Sequence, residues 1–202
     1  MRQKIVAALQ GVVPAAERAE KLRILVVGGS QGARAVSELV LAAAPLLIDA
    51  GVDFSIVHQT GAADLERLSE RYRALGLDGR VTVKAFIEDM AAAYAGADLV
   101  VARAGALTLA ELAIAGKPAI LVPLPTAADD HQSKNAARFA ETGAAIMLDQ
   151  RKASAGDLAA ALRDLARDRG RRTAMSAAMR GLSRPRAAQD IADSLEAMAR
   201  ER

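Results

Sequence analysis

The sequence LVVGGSQGA at residues 25–33 decides the fold, because it joins an apolar strand to a helix through a turn that contains three glycines. The apolar run before the turn is typical of a strand that is covered on both faces. Apolar residues at helical spacing follow from 33 to 48. Glycine permits a tight backbone turn and lets a ligand approach closely. The stretch therefore predicts the first strand-to-helix unit of an α/β sheet.

The same alternation of strand and helix repeats along the chain. The predicted strands are Ile24–Val27, Phe54–Val57, Val81–Phe86, Leu99–Val101, Ala119–Val122 and Ala145–Leu148. The predicted helices are Ala33–Ile48, Ala63–Leu75, Leu107–Ala115, His131–Thr142 and Ala155–Arg167. Strands that alternate with helices predict a doubly wound parallel sheet of the α/β class, here with six strands. Such sheets bind ligands beyond the carboxyl ends of their strands.

The ends of the chain differ from this central pattern. We expect a lead-in helix and linker over residues 1–21 and a single domain over residues 22–202. After about Ser154 the sequence is helical only, with a break near 181–185. No apolar run approaches the roughly 18–20 residues of a membrane span. The N-terminal sequence does not resemble a signal peptide either, so we expect a soluble, cytoplasmic protein.

Composition excludes several classes of function. The chain has 202 residues, a formal net charge of +3 and no cysteine, which excludes disulfides and thiolate zinc sites. Aromatic residues make up only 2% of the sequence, so we expect no nucleic-acid partner that is bound by base stacking. The last quarter is rich in arginine, which we interpret as solvated helix faces.

The first turn has two interpretations. The free N–H groups at the start of the following helix favour a phosphate, and Ser30 can add a hydroxyl donor. The spacing of glycines departs from the dinucleotide-binding pattern G-x-G-x-x-G, and the next strand ends in HQTG (58–61) without the acidic residue that binds ribose in NAD-dependent enzymes. The alternative is a plain tight turn capped by Ser30, and the turn alone does not decide between them.

A second strand-to-helix turn lies at ARAGALTLAE (102–111). Thr108 and Glu111 stand three residues apart, which is the spacing of a helix capping box. The alternative is that Glu111, on a helical face with Leu107 and Ile114, accepts hydrogen bonds from a ribose diol. From the residues alone, capping is slightly favoured.

A third turn, PLPTAADDHQSKN (123–135), is polar and opens another helix. Asp129 and Asp130 are good residues for a helix start. The alternative is that Asp130, His131 and Gln132 read sugar hydroxyls. A metal site is disfavoured because no second ligand stands at a clear spacing from His131, and no G-x-S-x-G elbow supports a serine nucleophile.

These turns, taken in this order, resemble one family. They are similar to the C-terminal, donor-binding domain of the MurG-type transferases, which move N-acetylglucosamine from UDP-N-acetylglucosamine to lipid I in peptidoglycan synthesis. The resemblance runs from about Leu22 to the C-terminus and rests on VGGSQGA (27–33), HQTG (58–61), FIEDM (86–90), RAGALTLAE (103–111) and DHQ (130–132) with Asn135. It implies a Rossmann-like domain that forms one half of a GT-B glycosyltransferase.

The resemblance also assigns roles to single residues. Ser30 and the turn amides correspond to an α-phosphate contact, the Ile87 backbone to a uracil contact, and Glu111 to the ribose ligand, which now outweighs capping. The implied substrate-binding residues are Gly29, Ser30, Gln31, Gly32, Ile87, Ala106, Leu107, Thr108, Glu111, His131 and Gln132. Less important candidates for the site are Arg2, Arg103, Asp130 and Asn135. The family requires no metal or cofactor.

The resemblance covers only half of such an enzyme. The acceptor site, the general base and the membrane-associated surface belong to an N-terminal domain for which this chain has no room. We therefore expect a fragment of a hexosyltransferase that is inactive alone, binds UDP or UDP-N-acetylglucosamine, and derives from a parent peripheral to the cytoplasmic face of the inner membrane. A homodimer through the exposed interdomain face is also expected. The alternatives are a UDP-sugar 2-epimerase-like domain and a non-catalytic UDP-sugar-binding module.

Overall fold

The computed structural model describes residues 7–9, 21–28 and 33–200, and its strands form one parallel sheet. The strands are β1 Leu22–Val27, β2 Phe54–Gln59, β3 Val81–Lys84, β4 Leu99–Ala102, β5 Ala119–Leu121 and β6 Ala145–Met147. The helices of this part of the chain, with residues 7–9 left aside, are α1 Arg34–Asp49, α2 Leu65–Ala74, α3 Met90–Gly96, α4 Ala106–Ala115, α5 His131–Glu141, α6 Ala155–Arg167, α7 Arg169–Gly181 and α8 Ala187–Arg200. Short 3-10 turns precede α2 and α5.

The strand order is β3-β2-β1-β4-β5-β6, which is that of a doubly wound sheet and confirms the predicted fold class. The chain builds outward from β1 through β2 and β3, then returns to the centre and places β4 on the other side of β1. Val27 of β1 pairs with Ala102 of β4, so both strands end at the same level. The direction of winding therefore reverses between these two strands.

Two apolar cores cover the two faces of the sheet. One core packs α1, α2 and α6 against Ile24 and Val26, and the other packs α3, α4, α5 and α7 against Leu25 and Val27. Alternate residues of β1 thus enter opposite cores, as the period of a strand requires. This double coverage explains why β1, β4, β5 and β6 are apolar at nearly every position, whereas β2 and the edge strand β3 also carry polar residues. Residues 7–9 are helical, and Leu9 is buried in the second core.

Several predicted boundaries were wrong in detail. The third strand ends at Lys84 and not at Phe86, so Phe86 lies in a loop. Helix α3 was not predicted, because four of its seven residues are alanine and its apolar signal is weak. The C-terminal helical segment breaks at Asp168 as well as in the expected region after Gly181, since the Asp168 side chain accepts a hydrogen bond from the N–H of Arg171 and caps α7. The rest of the predicted lead-in, residues 1–6 and 10–20, lies outside the described residues.

A buried polar network crosses the first core. His58 of β2 is fully buried, and its Nε2 lies 3.2 Å from the hydroxyl of Ser37 on α1 while its Nδ1 lies 3.0 Å from the hydroxyl of Tyr72 on α2. Burial lowers the pKa of His58 to about 4, and the charge of Asp64 opposes the shift to a smaller extent. Both ring nitrogens thus have partners, which a polar group in an apolar core requires.

This network makes stability depend on pH. The neutral imidazole is favoured in the folded state, whereas His58 in the unfolded chain takes up a proton below its ordinary pKa of 6.5. The free energy of unfolding should therefore fall as the pH drops from about 6.5 towards 4, at a rate approaching ~1.4 kcal/mol per pH unit. Urea unfolding between neutral and mildly acidic pH measures this slope, and the variant His131→Gln should retain it. An imidazole NMR signal of His58 that titrates near its ordinary pKa would contradict the prediction.

Candidate functional site

The reversal between β1 and β4 brings two helix starts to the same edge of the sheet. Helix α1 begins at Arg34, after the turn that follows β1, and α4 begins at Ala106, after the turn that follows β4. Because β1 and β4 are paired neighbours, both turns leave the sheet side by side. The predicted residues Gly29, Ser30, Gln31 and Gly32 lie outside the described residues, as does Arg2.

The start of α4 has the geometry of an anion-binding helix end. Gly105 precedes the helix in an extended conformation, and no side chain caps it. The first N–H groups, those of Ala106, Leu107 and Thr108, have no acceptor within the helix and lie at the positive end of its dipole. The Leu107 side chain is 60% exposed, so the first turn faces solvent. These three predicted residues therefore offer backbone donors to a ligand at the edge of the sheet.

The capping box, one of the two interpretations of the spacing between Thr108 and Glu111, is not formed. The helix begins two residues before Thr108, so Thr108 already lies inside the first turn. Glu111 instead accepts a hydrogen bond of 3.1 Å from the hydroxyl of Tyr94 on α3. The carboxylate is thus occupied by a tertiary contact and is free of the helix end.

Tyr94 holds Glu111 in place at the ligand side of α4. Tyr94 is completely buried, and burial raises its pKa well above the ordinary value, so its hydroxyl stays a donor. Burial also raises the pKa of Glu111, and the hydrogen bond from Tyr94 partly opposes that shift. Only Oε2 of Glu111 accepts a hydrogen bond from the described part of the chain. The other oxygen can therefore bind a hydroxyl group of a ligand.

The loop after β3 leads from the edge strand of the sheet to α3, the helix that carries Tyr94. Strand β3 is an edge strand, whereas α3 packs in the same core as α4, so residues 85–89 cross the carboxyl edge of the sheet between them. The side chain of Ile87 is buried, which fixes the loop and leaves its backbone as the predicted base contact. Phe86, beside it, is 61% exposed.

Phe86 is an exposed loop residue beside Ile87 that the sequence interpretation did not single out as a candidate. An exposed aromatic ring presents a flat apolar face on which a nucleobase can stack. Placing Phe86 inside β3 had assigned it to the core. The one sequence signal was the scarcity of aromatic residues, since the chain has only three phenylalanines.

The third loop ends at the start of α5. Asp129 and Asp130 have left-handed backbone angles, with φ of 50° and 54°, and Asp130 occupies the position before the helix without making a side-chain cap. Non-glycine residues in this region are strained and cluster at functional sites. The helix begins at His131 as predicted, and the Asp130 side chain does not cap it.

Gln132 and His131 open α5 beside this strained turn. Oε1 of Gln132 accepts a hydrogen bond of 3.1 Å from the N–H of Leu124, which ties α5 to the loop after β5. This bond orients the amide so that its Nε2 amino group is left as a donor for a ligand. His131 is exposed at the first position of the helix.

Arg103 and Asn135, two of the less important candidates, position the loops. Arg103 donates to the carbonyls of Val122 and Pro123, at 3.0 and 3.1 Å, and Nδ2 of Asn135 donates to the carbonyl of Ala104 at 3.2 Å. Burial lowers the pKa of Arg103. These bonds join the turns after β4 and β5 to α5, so Arg103 and Asn135 support the site through backbone contacts.

No cluster of three or more histidine, cysteine or acidic residues that could hold a metal occurs among residues 7–9, 21–28 and 33–200. In the same ranges, no helix is long and apolar enough to cross a bilayer.

The model of the glycosyltransferase family 28 C-terminal domain matches residues 23–193. The chain belongs to this family. One curated relative is the UDP-N-acetylglucosamine–N-acetylmuramyl-(pentapeptide) pyrophosphoryl-undecaprenol N-acetylglucosamine transferase of Nitratidesulfovibrio vulgaris strain DP4, which is 49% identical over 173 residues. The alignment covers 86% of this chain and 47% of the relative, so the chain spans about half the length of the curated relatives that it matches.

Solved structures agree with this family. The crystal structure of Acinetobacter baumannii MurG matches with a TM-score of 0.85 and 36% identity, covering 93% of this chain and 54% of that chain. A putative UDP-N-acetylglucosamine 2-epimerase from Listeria monocytogenes matches with a TM-score of 0.68, covering 100% of this chain and 53% of that chain. Its identity is only 15%, so this second likeness shows the fold alone. The chain therefore has the Rossmann-like fold of one half of the GT-B protein MurG, as the resemblance implied.

The bond between Tyr94 and Glu111 can be tested without a ligand. Replacing Tyr94 by Phe removes the hydroxyl that stabilises the ionised carboxylate, so the pKa of Glu111 should rise further. An NMR titration of the side-chain carboxyl carbon of Glu111 measures this shift. The matched control is Tyr72→Phe, which removes a buried hydroxyl in the opposite core and should leave Glu111 unchanged. A Glu111 pKa that stays constant in Tyr94→Phe would show that the hydrogen bond is not formed in solution.

Proposed function

We propose that this chain is the donor-binding half of an inverting glycosyltransferase that transfers N-acetylglucosamine from UDP-N-acetylglucosamine to lipid I, giving lipid II. The observation that carries the proposal is the uncapped start of α4 one turn away from Glu111, at the point where the strand order reverses. The name of the relative at 49% identity supports the choice of donor and acceptor.

The donor would lie along the carboxyl edge of the sheet. Its diphosphate meets the first N–H groups of α4 and the turn before α1, and its ribose diol hydrogen-bonds to Glu111. The uracil meets the Ile87 backbone and stacks on Phe86. The sugar hydroxyls face His131 and Gln132. Each role follows the polarity of the group at that position, because helix starts favour anions and a carboxylate accepts from hydroxyls.

The chemistry is a displacement at the anomeric carbon. An acceptor hydroxyl forms a bond to this carbon, the bond to the β-phosphate oxygen breaks, and UDP leaves with the electron pair. Negative charge grows on the diphosphate during this step, and the helix starts stabilise it with preorganised dipoles, without a cation. The hydroxyl proton goes to a general base that we place in the other half of the enzyme.

The other half supplies the remaining functions. We assign the acceptor site for lipid I and the contact with the cytoplasmic face of the inner membrane to the N-terminal domain of the parent enzyme. The described residues between the strand ends and α5 supply groups for the donor only. The chain alone should therefore bind UDP without turnover.

Calorimetry with UDP and 2′-deoxy-UDP tests the ribose assignment. The wild-type chain should bind UDP about tenfold more tightly than the deoxy analogue, because a hydrogen bond to a charged group contributes about 1.5–3 kcal/mol. In Glu111→Ala this preference should vanish, and UDP should bind about tenfold more weakly. The matched control is Glu141→Ala, which removes an exposed carboxylate at the far end of α5.

The outcomes separate the two parts of the proposal. Absence of UDP binding by the wild type would overturn the proposed function. Unchanged discrimination in Glu111→Ala, with UDP still bound, would overturn only the assignment of the ribose ligand.

A further inference from the structure

A pocket apart from the proposed donor site lies at the opposite edge of the sheet, where the strands begin; we call this the amino edge. It is open, has a volume of about 340 Å³, and is bounded by residues 97–98 before β4, residues 116–118 before β5, and one side of α7. The donor site lies at the carboxyl ends of the same strands. The two pockets are therefore separated by the length of the sheet.

Positive side chains dominate this second pocket. We call it the basic pocket and define it by Lys117, Arg169, Arg172 and Arg180, which line it. Its one acidic residue is Asp98, which already accepts hydrogen bonds of 2.6 and 3.0 Å from the guanidinium of Arg23. The basic pocket therefore carries an excess of positive charge that its own side chains do not neutralise.

Lys117 is the most unusual member of the basic pocket. Its side chain is 3% exposed, and its ammonium donates one hydrogen bond of 2.8 Å, to the carbonyl of Ala97. Burial lowers the pKa of Lys117 to about 8; Asp98 raises it, and Arg23 and Arg180 lower it further. A buried ammonium placed among other cations opposes folding, and such groups cluster at functional sites.

The backbone is shaped to admit Arg180 beside Lys117. Gly116 has a left-handed φ of 61°, and a Cβ atom at this position would lie 2.5 Å from Nε and 2.7 Å from Cζ of Arg180. The hydroxyl of Ser176 donates to the Gly116 carbonyl at 2.7 Å and fixes α7 against this turn. A side chain at position 116 would be strained by this backbone angle and would force Arg180 to shift from its present position.

Helix capping explains only part of this charge. Lys117 satisfies a carbonyl at the end of α3, and Arg172 donates to the carbonyls of Leu165 and Ala166 at the end of α6. The side chains of Arg169 and Arg180 make no hydrogen bond or ion pair with the described residues. Their charges, together with the two remaining N–H groups of the Lys117 ammonium, are available to a ligand.

We propose that the basic pocket binds a phosphate group, independently of the donor site. Guanidinium groups bind phosphate oxygens through paired hydrogen bonds, and an ammonium adds a compact charge. The phosphate belongs either to a free phosphate ester or to the headgroup of an anionic lipid. The chemistry of recognition is the same for both sources.

Calorimetry with inorganic phosphate, in the presence of saturating UDP, tests the basic pocket apart from the donor site. The wild type should bind phosphate saturably, and Lys117→Met and Arg180→Gln should each weaken binding about tenfold or more. The matched control is Arg171→Gln, which removes the same charge from the same helix but lines a different pocket. The Arg180 side chain is exposed, so its variant should fold even if Lys117→Met does not.

Affinity should also depend on pH. Burial lowers the pKa of Lys117 to about 8; of the charged groups around it, Arg23 and Arg180 lower the pKa further and Asp98 raises it. Phosphate binding should therefore weaken as the pH rises above about 8 in the wild type, and this dependence should be lost in Lys117→Met.

Co-sedimentation with phosphatidylglycerol and with phosphatidylcholine vesicles separates the two sources. Binding to the anionic vesicles alone, weakened by Arg180→Gln and displaced by inorganic phosphate, would support a lipid headgroup. Phosphate binding without vesicle binding would support a soluble phosphate. No saturable phosphate binding, or an equal loss in Arg171→Gln, would overturn the proposal.

Discussion

The reversal of strand order between β1 and β4 is the constraint on which the candidate site depends. In a parallel sheet the carboxyl ends of all strands lie at the same edge. The helix that follows a strand normally covers the space between that strand and its neighbour. At the reversal, α1 and α4 pack on opposite faces and leave a crevice between them. The pairing of Val27 with Ala102 ends the two strands that lead to these helices at the same level.

The crevice acquires specificity from contacts between its loops. Tyr94 on α3 orients Glu111 on α4, Asn135 on α5 holds the turn before α4, and Gln132 holds the loop after β5. Tyr94 and Asn135 each come from a different strand-helix unit than the one that they position, whereas Gln132 holds the loop that leads into its own helix. The site is therefore a property of the whole edge of the sheet, and shifting one connection would displace groups on its neighbour.

Except for α3, the order of strands and helices through the sheet was predictable from the sequence, because the central strands are largely apolar and the glycine-rich junctions mark their ends. The pair formed by Tyr94 and Glu111 was not, since a short alanine-rich helix carries little periodic signal. The spacing of Thr108 and Glu111 suggested a wrong contact although its local signal was clear. It matched a common local motif, whereas a partner 17 residues away in the sequence binds the carboxylate. The placement of residues 29–32, and with it the phosphate contact at Ser30, stays a prediction.

The two edges of the sheet present opposite electrostatic environments to an anion. Helices that follow parallel strands run back across the sheet, so their positive ends gather at the carboxyl edge and their negative ends at the amino edge. An anion at the carboxyl edge therefore meets the positive ends of helices, and the start of α4 has no side-chain cap that would compete for its N–H groups. At the amino edge the dipoles repel an anion, and cations there first neutralise the helix ends, as Lys117 and Arg172 do. Only positive charge that is not used to neutralise helix ends is available to a ligand. On α7, Arg169 and Arg180 carry such charge and line the same pocket as the buried Lys117.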